Sequence, residues 1–237
     1  MNTAFRVLTR DESKEPRYGE AGLVFVFLLP RGATGKCAAP NRAEAGRLVM
    51  EKPMLERLLD FPVIAAVKNG EGLKRALVSP SPVVFVLYGD VCCIGGIVGQ
   101  IKAAEKLAIV HLDLVDGLAP REVSVKFLKT GTEADGVIST RAQLVRCARE
   151  MGLIAVQRHF LLDSMSLENA EKHFLTGTAD FNEILPGVMP KIIRRCVQKA
   201  QTPVIAGGMI LDKDDIVSAL GAGATAVSTT KESLWFE

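Results

Sequence analysis

Two pairs of small residues follow apolar segments late in the 237-residue sequence, and their types suit the binding of a phosphate group. Gly207 and Gly208 come directly after PVIA, and Ser228 and Thr229 come directly after ATAV. Glycine lets the backbone approach an anion, and the exposed N–H groups at the start of a helix attract phosphate. Each pair alone is also explained by a tight turn or a helix cap, but both together favour a phosphate site.

Charged residues end several other apolar segments and could complete a polar site. They are Lys68, Asp113, Arg158 and Glu183. Taken singly, such residues are more often exposed or ion-paired than functional. If the segments are strands of one parallel barrel, however, their carboxyl ends meet at one mouth. His111 lies inside the apolar segment IVHLD, where a hydrogen-bonded core histidine is favoured over a general base.

A third group of residues could contact nucleic acid. One face of the predicted helix after Pro190 is cationic and the other is apolar. The cationic residues are Lys191, Arg194, Arg195 and Lys199. Most such faces are simply solvated, and aromatic residues for base stacking make up only 5% of the chain. These residues are therefore candidates for contacts to RNA phosphates and not for a stacking platform.

The elements that must position these residues are short apolar segments alternating with helix-length segments from Phe61 onward. Eight segments are rich in Val and Ile and nearly continuous in apolar character, which is typical of parallel strands buried on both faces. They span Pro62–Val67, Val83–Tyr88, Ala108–Asp113, Asp135–Ser139, Leu153–Arg158, Asp180–Leu185, Pro203–Ala206 and Ala224–Ser228. Helix starts are predicted at Pro190, at Asp212 and at a capping box of Thr140 with Gln143. Eight such units predict a single (β/α)8 barrel of the TIM type, with a doubly wound open sheet as the alternative.

Residues 1–53 do not follow this alternation. Glycine and proline interrupt them repeatedly, and no core can be assigned there. We therefore expect an irregular N-terminal extension over residues 1–53, either disordered or upstream of a native start at Met50 or Met54, and a barrel over residues 54–237. The apolar stretch Leu23–Leu29 is too short to cross a bilayer, which needs about 20 residues.

Composition places the chain among globular proteins. Hydrophobic residues make up 48% and charged residues 24%, and the formal net charge is only +2. These values exclude disordered and disulfide-scaffold proteins, and a protein held to nucleic acid by its overall charge. The five cysteines include no C-x-x-C pair, so we expect free buried thiols, Cys92 and Cys93 among them, and no metal site. Free thiols predict a cytoplasmic protein, and the short apolar stretch Leu23–Leu29 predicts no membrane partner.

The same segments occur in the order and spacing of a known family. From Phe61 to Trp235 the chain resembles the glycerol uptake operon antiterminator regulatory proteins. The matching segments are FPVIAAVKN, VVFVLYGD, VHLDLVDGL, ADGVISTR, AVQRHFLLDS, EILPGVMPKII, PVIAGGMI and GATAVSTTKESLW. Two features depart from the family pattern: the N-terminal extension, and His159 at a position where an aromatic residue is expected.

The resemblance implies a barrel that binds glycerol 3-phosphate and then acts on the leader of glycerol-utilisation messenger RNA, so that transcription passes a terminator. Combined with the strand-end geometry, it implies a phosphate site and adjacent contacts to the glycerol hydroxyls. The phosphate residues are Gly207, Gly208, Ser228 and Thr229. The hydroxyl contacts come from Lys68, Asp113, Arg158 and Glu183.

We therefore expect a glycerol 3-phosphate-responsive, RNA-binding transcription antiterminator that regulates glycerol uptake and utilisation genes. No catalytic residue, metal or cofactor is predicted, and glycerol 3-phosphate is the effector. One alternative is an enzyme for a phosphorylated substrate, such as an isomerase, a lyase or a glycerol-phosphate transferase, with Asp113 or Glu183 as base. Another is a ligand-binding protein whose partner is a second protein. The sequence is compatible with a monomer or a homo-oligomer.

Overall fold

A closed eight-stranded barrel forms the centre of the protein. The computed structural model describes residues 54–237, so the expectations about residues 1–53 and Cys37 lie outside the described residues. All strands are parallel, each pairs with its sequence neighbours, and β8 returns to β1. They are β1 (Val63–Val67), β2 (Val83–Val86), β3 (Leu107–His111), β4 (Gly136–Ser139), β5 (Ile154–Phe160), β6 (Phe181–Leu185), β7 (Val204–Gly207) and β8 (Ala226–Thr229). The predicted (β/α)8 barrel is confirmed, and the open sheet is excluded.

Helices alternate with the strands around the outside of the barrel. They are α1 (Gly70–Val78), α2 (Ile94–Ala103), α3 (Glu122–Gly131), α4 (Ala142–Glu150), α5 (Ser164–Thr176), α6 (Pro190–Lys199) and α7 (Lys213–Gly221). Short 3-10 helices follow β3 (Leu112–Leu114) and β8 (Glu232–Phe236). Within residues 54–237, no helix has the length and apolar character needed to cross a membrane.

Two layers of apolar side chains stabilise the barrel. The outer layer lies between the strands and the helices. The inner layer fills the barrel with residues from alternate strand positions, such as Ile64 and Phe85. Met54 and Leu58 come from the helical residues 54–60, are fully buried, and pack into this inner layer. The segment before β1 therefore contributes directly to the barrel core.

The predicted helix starts are correct in two cases and wrong in one. Asp212 caps α7 with its carboxylate, and Pro190 is the first residue of α6. The capping box of Thr140 and Gln143 does not form, because α4 begins two residues after Thr140. Thr140 instead donates its backbone N–H, at 2.8 Å, and its hydroxyl, at 3.3 Å, to the carboxylate of Asp113. Thr140 therefore bonds to a carboxylate that is distant in the sequence and does not cap α4.

β5 extends two residues beyond its predicted end and includes His159. The imidazole lies in the outer layer, where it meets the ring of Phe174 edge-on with centroids 5.1 Å apart. Its Nε2 lies 3.1 Å from Oδ1 of Asn182 on β6. Burial lowers the pKa of His159 to about 4, so the ring is neutral. The residue that departs from the family pattern is therefore a hydrogen-bonded core histidine that joins β5, β6 and α5.

The described cysteines are free, but only some of them are buried. Cys147 and Cys196 are buried, whereas Cys92 and Cys93 are exposed. The expectation that the latter pair is buried is therefore wrong. Both lie in the turn before α2, where the Asp90 carboxylate accepts hydrogen bonds from their backbone N–H groups at 2.8 and 2.9 Å and holds the turn at the surface.

Glu171 joins two neighbouring helices. It lies on α5 and is almost fully buried, and its two carboxylate oxygens are each 2.5 Å from a cation on α6, Nε of Arg195 and Nζ of Lys199. Hydrogen bonds from these two residues lower the pKa of Glu171 from 4.5 to about 2. The ionised form is therefore stabilised by folding.

The Glu171 carboxylate gives the protein a pH-dependent stability. Its pKa is lower in the folded chain, so its contribution is present above pH 4.5 and is lost as the pH falls toward 2. Because Arg195 and Lys199 are about half exposed, we expect Glu171→Gln to lower the free energy of unfolding at pH 7 by only about 1–2 kcal/mol. Urea denaturation at pH 7 and pH 3.5 measures this difference. The difference in free energy of unfolding between wild type and Glu171→Gln should be smaller at pH 3.5 than at pH 7. The matched control is Glu150→Gln, on the exposed face of α4. A difference that is the same at both pH values would contradict the role of the Glu171 carboxylate.

Candidate functional site

The inward-facing positions change from apolar to polar toward the carboxyl ends of the strands. In β5, Val156 belongs to the inner apolar layer, and Arg158 is the next position on the same face. His111 in β3, Glu183 in β6 and Ser228 in β8 occupy similar inward positions, and all four polar residues are at most 8% exposed. Buried polar side chains therefore gather inside one end of the barrel, the carboxyl-terminal mouth.

Three predicted site residues form a connected group there. The Glu183 carboxylate is fully buried, with Oε2 2.5 Å from Nε of Arg158 and Oε1 accepting a hydrogen bond of 2.5 Å from the Ser228 hydroxyl. Arg158 and Glu183 are paired in the register of β5 and β6. Within residues 54–237 the Nη groups of Arg158 donate no hydrogen bond. The guanidinium is thus fixed by one nitrogen and keeps further donors for a ligand.

Gly207 leaves the space in which this group forms. A Cβ at this position would overlap Oγ of Ser228 and lie 2.7 Å from Oε1 of Glu183. A side chain here would force the two residues apart, so glycine is required by packing. That reason adds to the predicted approach of a phosphate to the backbone, and it was not visible in the sequence.

The loops after β7 and β8 are joined by hydrogen bonds that leave Thr229 with little freedom. Gly208 has a φ of 75° and Met209 a φ of 62°, so the chain turns sharply after β7. The Thr229 hydroxyl donates to the Ile210 carbonyl at 2.8 Å and accepts the Lys231 N–H at 3.0 Å. Of the predicted phosphate residues, Ser228 faces the interior and Thr229 anchors the adjoining loop.

Asp113 connects the ends of β3 and β4. Its Oδ2 accepts hydrogen bonds from the Ser139 hydroxyl at 2.9 Å and from the Thr140 N–H at 2.8 Å. Its Oδ1 is buried and accepts no hydrogen bond among residues 54–237, although Nε of Arg141 lies 3.5 Å away. The carboxylate is therefore held in place with one acceptor atom available.

Sequence reasoning predicted a hydrogen-bonded core histidine at position 111; the burial is confirmed, but the expected hydrogen bond is not formed within residues 54–237. Its Nδ1 is buried but has no hydrogen-bond partner in the described part of the chain. His111 lies two residues after the inward-facing Ile109, and residues two apart in a strand face the same side. This alternation could have placed His111 inside the mouth from the sequence. Lys68, by contrast, is exposed directly after β1 and makes no ion pair with any described residue.

The predicted cationic face of α6 divides into two halves. Arg195 and Lys199 are paired with Glu171, as described above. Lys191 and Arg194 are exposed and have no ion pair within residues 54–237. The cations available to a polyanion on this face are therefore Lys191 and Arg194. Among the same described residues, no cluster of His, Cys, Asp and Glu could hold a metal ion.

Comparisons with known proteins give consistent matches over the barrel. The family model for glycerol-3-phosphate responsive antiterminators matches residues 63–235. The Escherichia coli protein YgcP is 43% identical over 183 residues, which cover 77% of this chain and 96% of that protein. The crystal structure of a glycerol uptake operon antiterminator regulatory protein from Listeria monocytogenes matches at 30% identity with a TM-score of 0.71, over 74% of this chain and 95% of that one. An antiterminator-related protein from Thermotoga maritima matches at 29% identity with a TM-score of 0.65, over 73% and 96% of the two chains.

The buried pair of Arg158 and Glu183 makes a measurable prediction. Arg158→Met leaves the Glu183 carboxylate buried without its cation, and we expect the free energy of unfolding to fall by about 3–5 kcal/mol. The double variant Arg158→Met/Glu183→Leu removes both charges and should recover at least about half of that loss. Urea denaturation of the wild type, both single variants and the double variant gives the coupling energy. Strictly additive losses would show that the two charges do not stabilise each other.

Proposed function

The chain belongs to the glycerol-3-phosphate responsive antiterminator family, and from this premise we propose that it binds glycerol 3-phosphate at the barrel mouth and acts on messenger RNA in the cytoplasm as an antiterminator. Membership of this family favours a regulator over the enzyme considered from the sequence. The observation that carries the proposal is the Arg158 guanidinium, which is buried in the mouth and whose Nη groups donate no hydrogen bond within residues 54–237. An anionic or hydroxylated ligand matches such donors.

The arrangement of the mouth supports a ligand with two chemically different ends. Gly207, Gly208 and Ser228 place backbone and hydroxyl groups at the ends of β7 and β8, where barrels of this type commonly bind phosphate. Because β1 pairs with β8, the exposed Lys68 lies on the same side and can neutralise part of the phosphate charge. Asp113 lies at the end of β3, across the barrel, and its carboxylate suits hydroxyl donors.

A short path connects this site to the cationic face of α6. Glu183 lies on β6, and the loop after β6 leads directly into α6. In that loop the Gly187 N–H donates to the Gly208 carbonyl at 3.0 Å, so the β6 and β7 loops are joined. A ligand that prefers one arrangement of these loops would shift the population of α6 toward the position that goes with it. The coupling free energy for such shifts is typically about 1–3 kcal/mol. We propose that Lys191 and Arg194 then contact the phosphates of the RNA leader.

Ligand binding tests the first part of the proposal. A ligand that binds only the folded state at a concentration 100 times its Kd adds about 2.7 kcal/mol of stability. For a domain of this size we therefore expect glycerol 3-phosphate to raise the melting temperature by roughly 5–10 °C. Free glycerol and inorganic phosphate, at equal concentrations, should raise it much less. Absence of a melting shift and of heat in calorimetry with glycerol 3-phosphate would reject the effector.

Charge reversal tests the RNA surface. We expect Lys191→Glu/Arg194→Glu to weaken binding of the messenger RNA leader by at least about tenfold at fixed salt, because two phosphate contacts become repulsive. Affinity for glycerol 3-phosphate should be unchanged. The matched control is Lys126→Glu/Arg146→Glu, which makes the same change in net charge at exposed, unpaired cations on α3 and α4. Equal losses in both double variants, measured by gel shift, would show that α6 is not the RNA surface.

A further inference from the structure

The end of β3 carries two buried polar atoms that form no hydrogen bond within residues 54–237, although Nε of Arg141 lies 3.5 Å from one of them, Oδ1 of Asp113. They are Nδ1 of His111 and Oδ1 of Asp113. More than nine in ten buried polar groups in proteins have a partner, so two such atoms two residues apart call for an explanation. His111 faces the interior of the mouth, two residues after the inward-facing Ile109, and Asp113 follows it in the 3-10 helix after β3.

His111 differs from a histidine that only fills the core. His159 is buried to a similar degree, and its Nε2 is satisfied by Asn182. His111 is 3% exposed, and its Nδ1 has no partner within residues 54–237. Burial lowers the pKa of His111 to about 4, and the nearby Arg158 guanidinium acts in the same direction. A neutral imidazole protonated on Nε2 offers Nδ1 as an acceptor.

Asp113 complements this acceptor with a carboxylate that cannot turn away. Its Oδ2 is occupied by Ser139 and Thr140, which fix the plane of the group. Its Oδ1 therefore keeps one position near the end of β3. These two groups, two residues apart at the end of β3, match a ligand that presents hydroxyl donors.

We propose that His111 and Asp113 form a hydroxyl-recognition subsite, in which Nδ1 and Oδ1 accept hydrogen bonds from the polyol end of a small phosphate ester. This inference rests on the proposed effector function and names the residue that gives it specificity, His111. A ligand without hydroxyls would leave the buried Nδ1 of His111 unpaired, and such a mismatch produces stronger discrimination than a change in apolar contact. The phosphate end would then lie toward β7 and β8, across the mouth.

Calorimetry with two ligands and four proteins tests the subsite. The ligands are glycerol 3-phosphate and 1-propyl phosphate, which keeps the phosphate and the three-carbon chain but has neither hydroxyl. The proteins are the wild type, His111→Phe, His111→Asn and the control His159→Phe. We expect the wild type to prefer glycerol 3-phosphate by at least about tenfold. His111→Phe should lose most of that preference through weaker binding of glycerol 3-phosphate, with 1-propyl phosphate affinity within about twofold of wild type.

The other variants separate recognition from folding. His111→Asn keeps an acceptor near the position of Nδ1 and should retain part of the preference. His159→Phe removes a buried histidine outside the mouth and should keep the full preference at a lower melting temperature. If His111→Phe does not fold, His111→Asn is compared with His159→Phe. A weaker preference for glycerol 3-phosphate in His111→Asn than in His159→Phe supports the subsite, and an equal preference overturns it.

Failure of this inference is distinguishable from failure of the proposed function. A wild-type preference that persists unchanged in both His111 variants overturns the subsite and leaves the effector in place. Equal wild-type affinities for the two ligands also overturn it. Wild-type protein that binds neither ligand contradicts the effector proposal itself.

Discussion

The ion pair between Arg158 and Glu183 is the interaction on which the mouth of the barrel depends, because neither charge is tolerated at such burial alone. It requires the Ser228 hydroxyl to satisfy the second oxygen of the carboxylate, and it requires the absence of a side chain at Gly207. It also contributes to keeping His111 neutral, through the positive charge of Arg158. One buried pair therefore determines the chemistry of several neighbouring positions.

A mouth organised in this way suits recognition. The charged and polar groups are fixed by contacts with one another, as Asp113 is by Ser139 and Thr140. Such groups do not have to be ordered when a ligand arrives, so little of the binding free energy is spent on conformational entropy. The groups that form no hydrogen bond within residues 54–237, Nη of Arg158 and Nδ1 of His111, then define which ligand is complementary.

The fold could be predicted from the sequence more completely than the site. Eight apolar segments with helical segments between them predict a parallel barrel, because strands covered on both faces need continuous apolar character. Local rules failed where distant residues compete: Thr140 gives its hydrogen bonds to Asp113 and not to its own helix. The packing role of Gly207 was equally hidden, since the atoms a Cβ would meet come from residues 21 and 24 positions away. The orphaned acceptor of His111 is likewise a property of its surroundings, which alternation along β3 could only suggest.

The helix after β6 shows why counting cations overstates the attraction of a surface for a polyanion. Glu171 already serves as the counter-ion of Arg195 and Lys199, so mobile salt ions have little to neutralise at those two positions. If the proposed RNA contact forms on this face, Lys191 and Arg194 alone are left to neutralise RNA phosphates and to release the cations condensed on them. The association would consequently respond to ionic strength as a two-cation contact, with a slope about half that expected from the four positive charges written in the sequence.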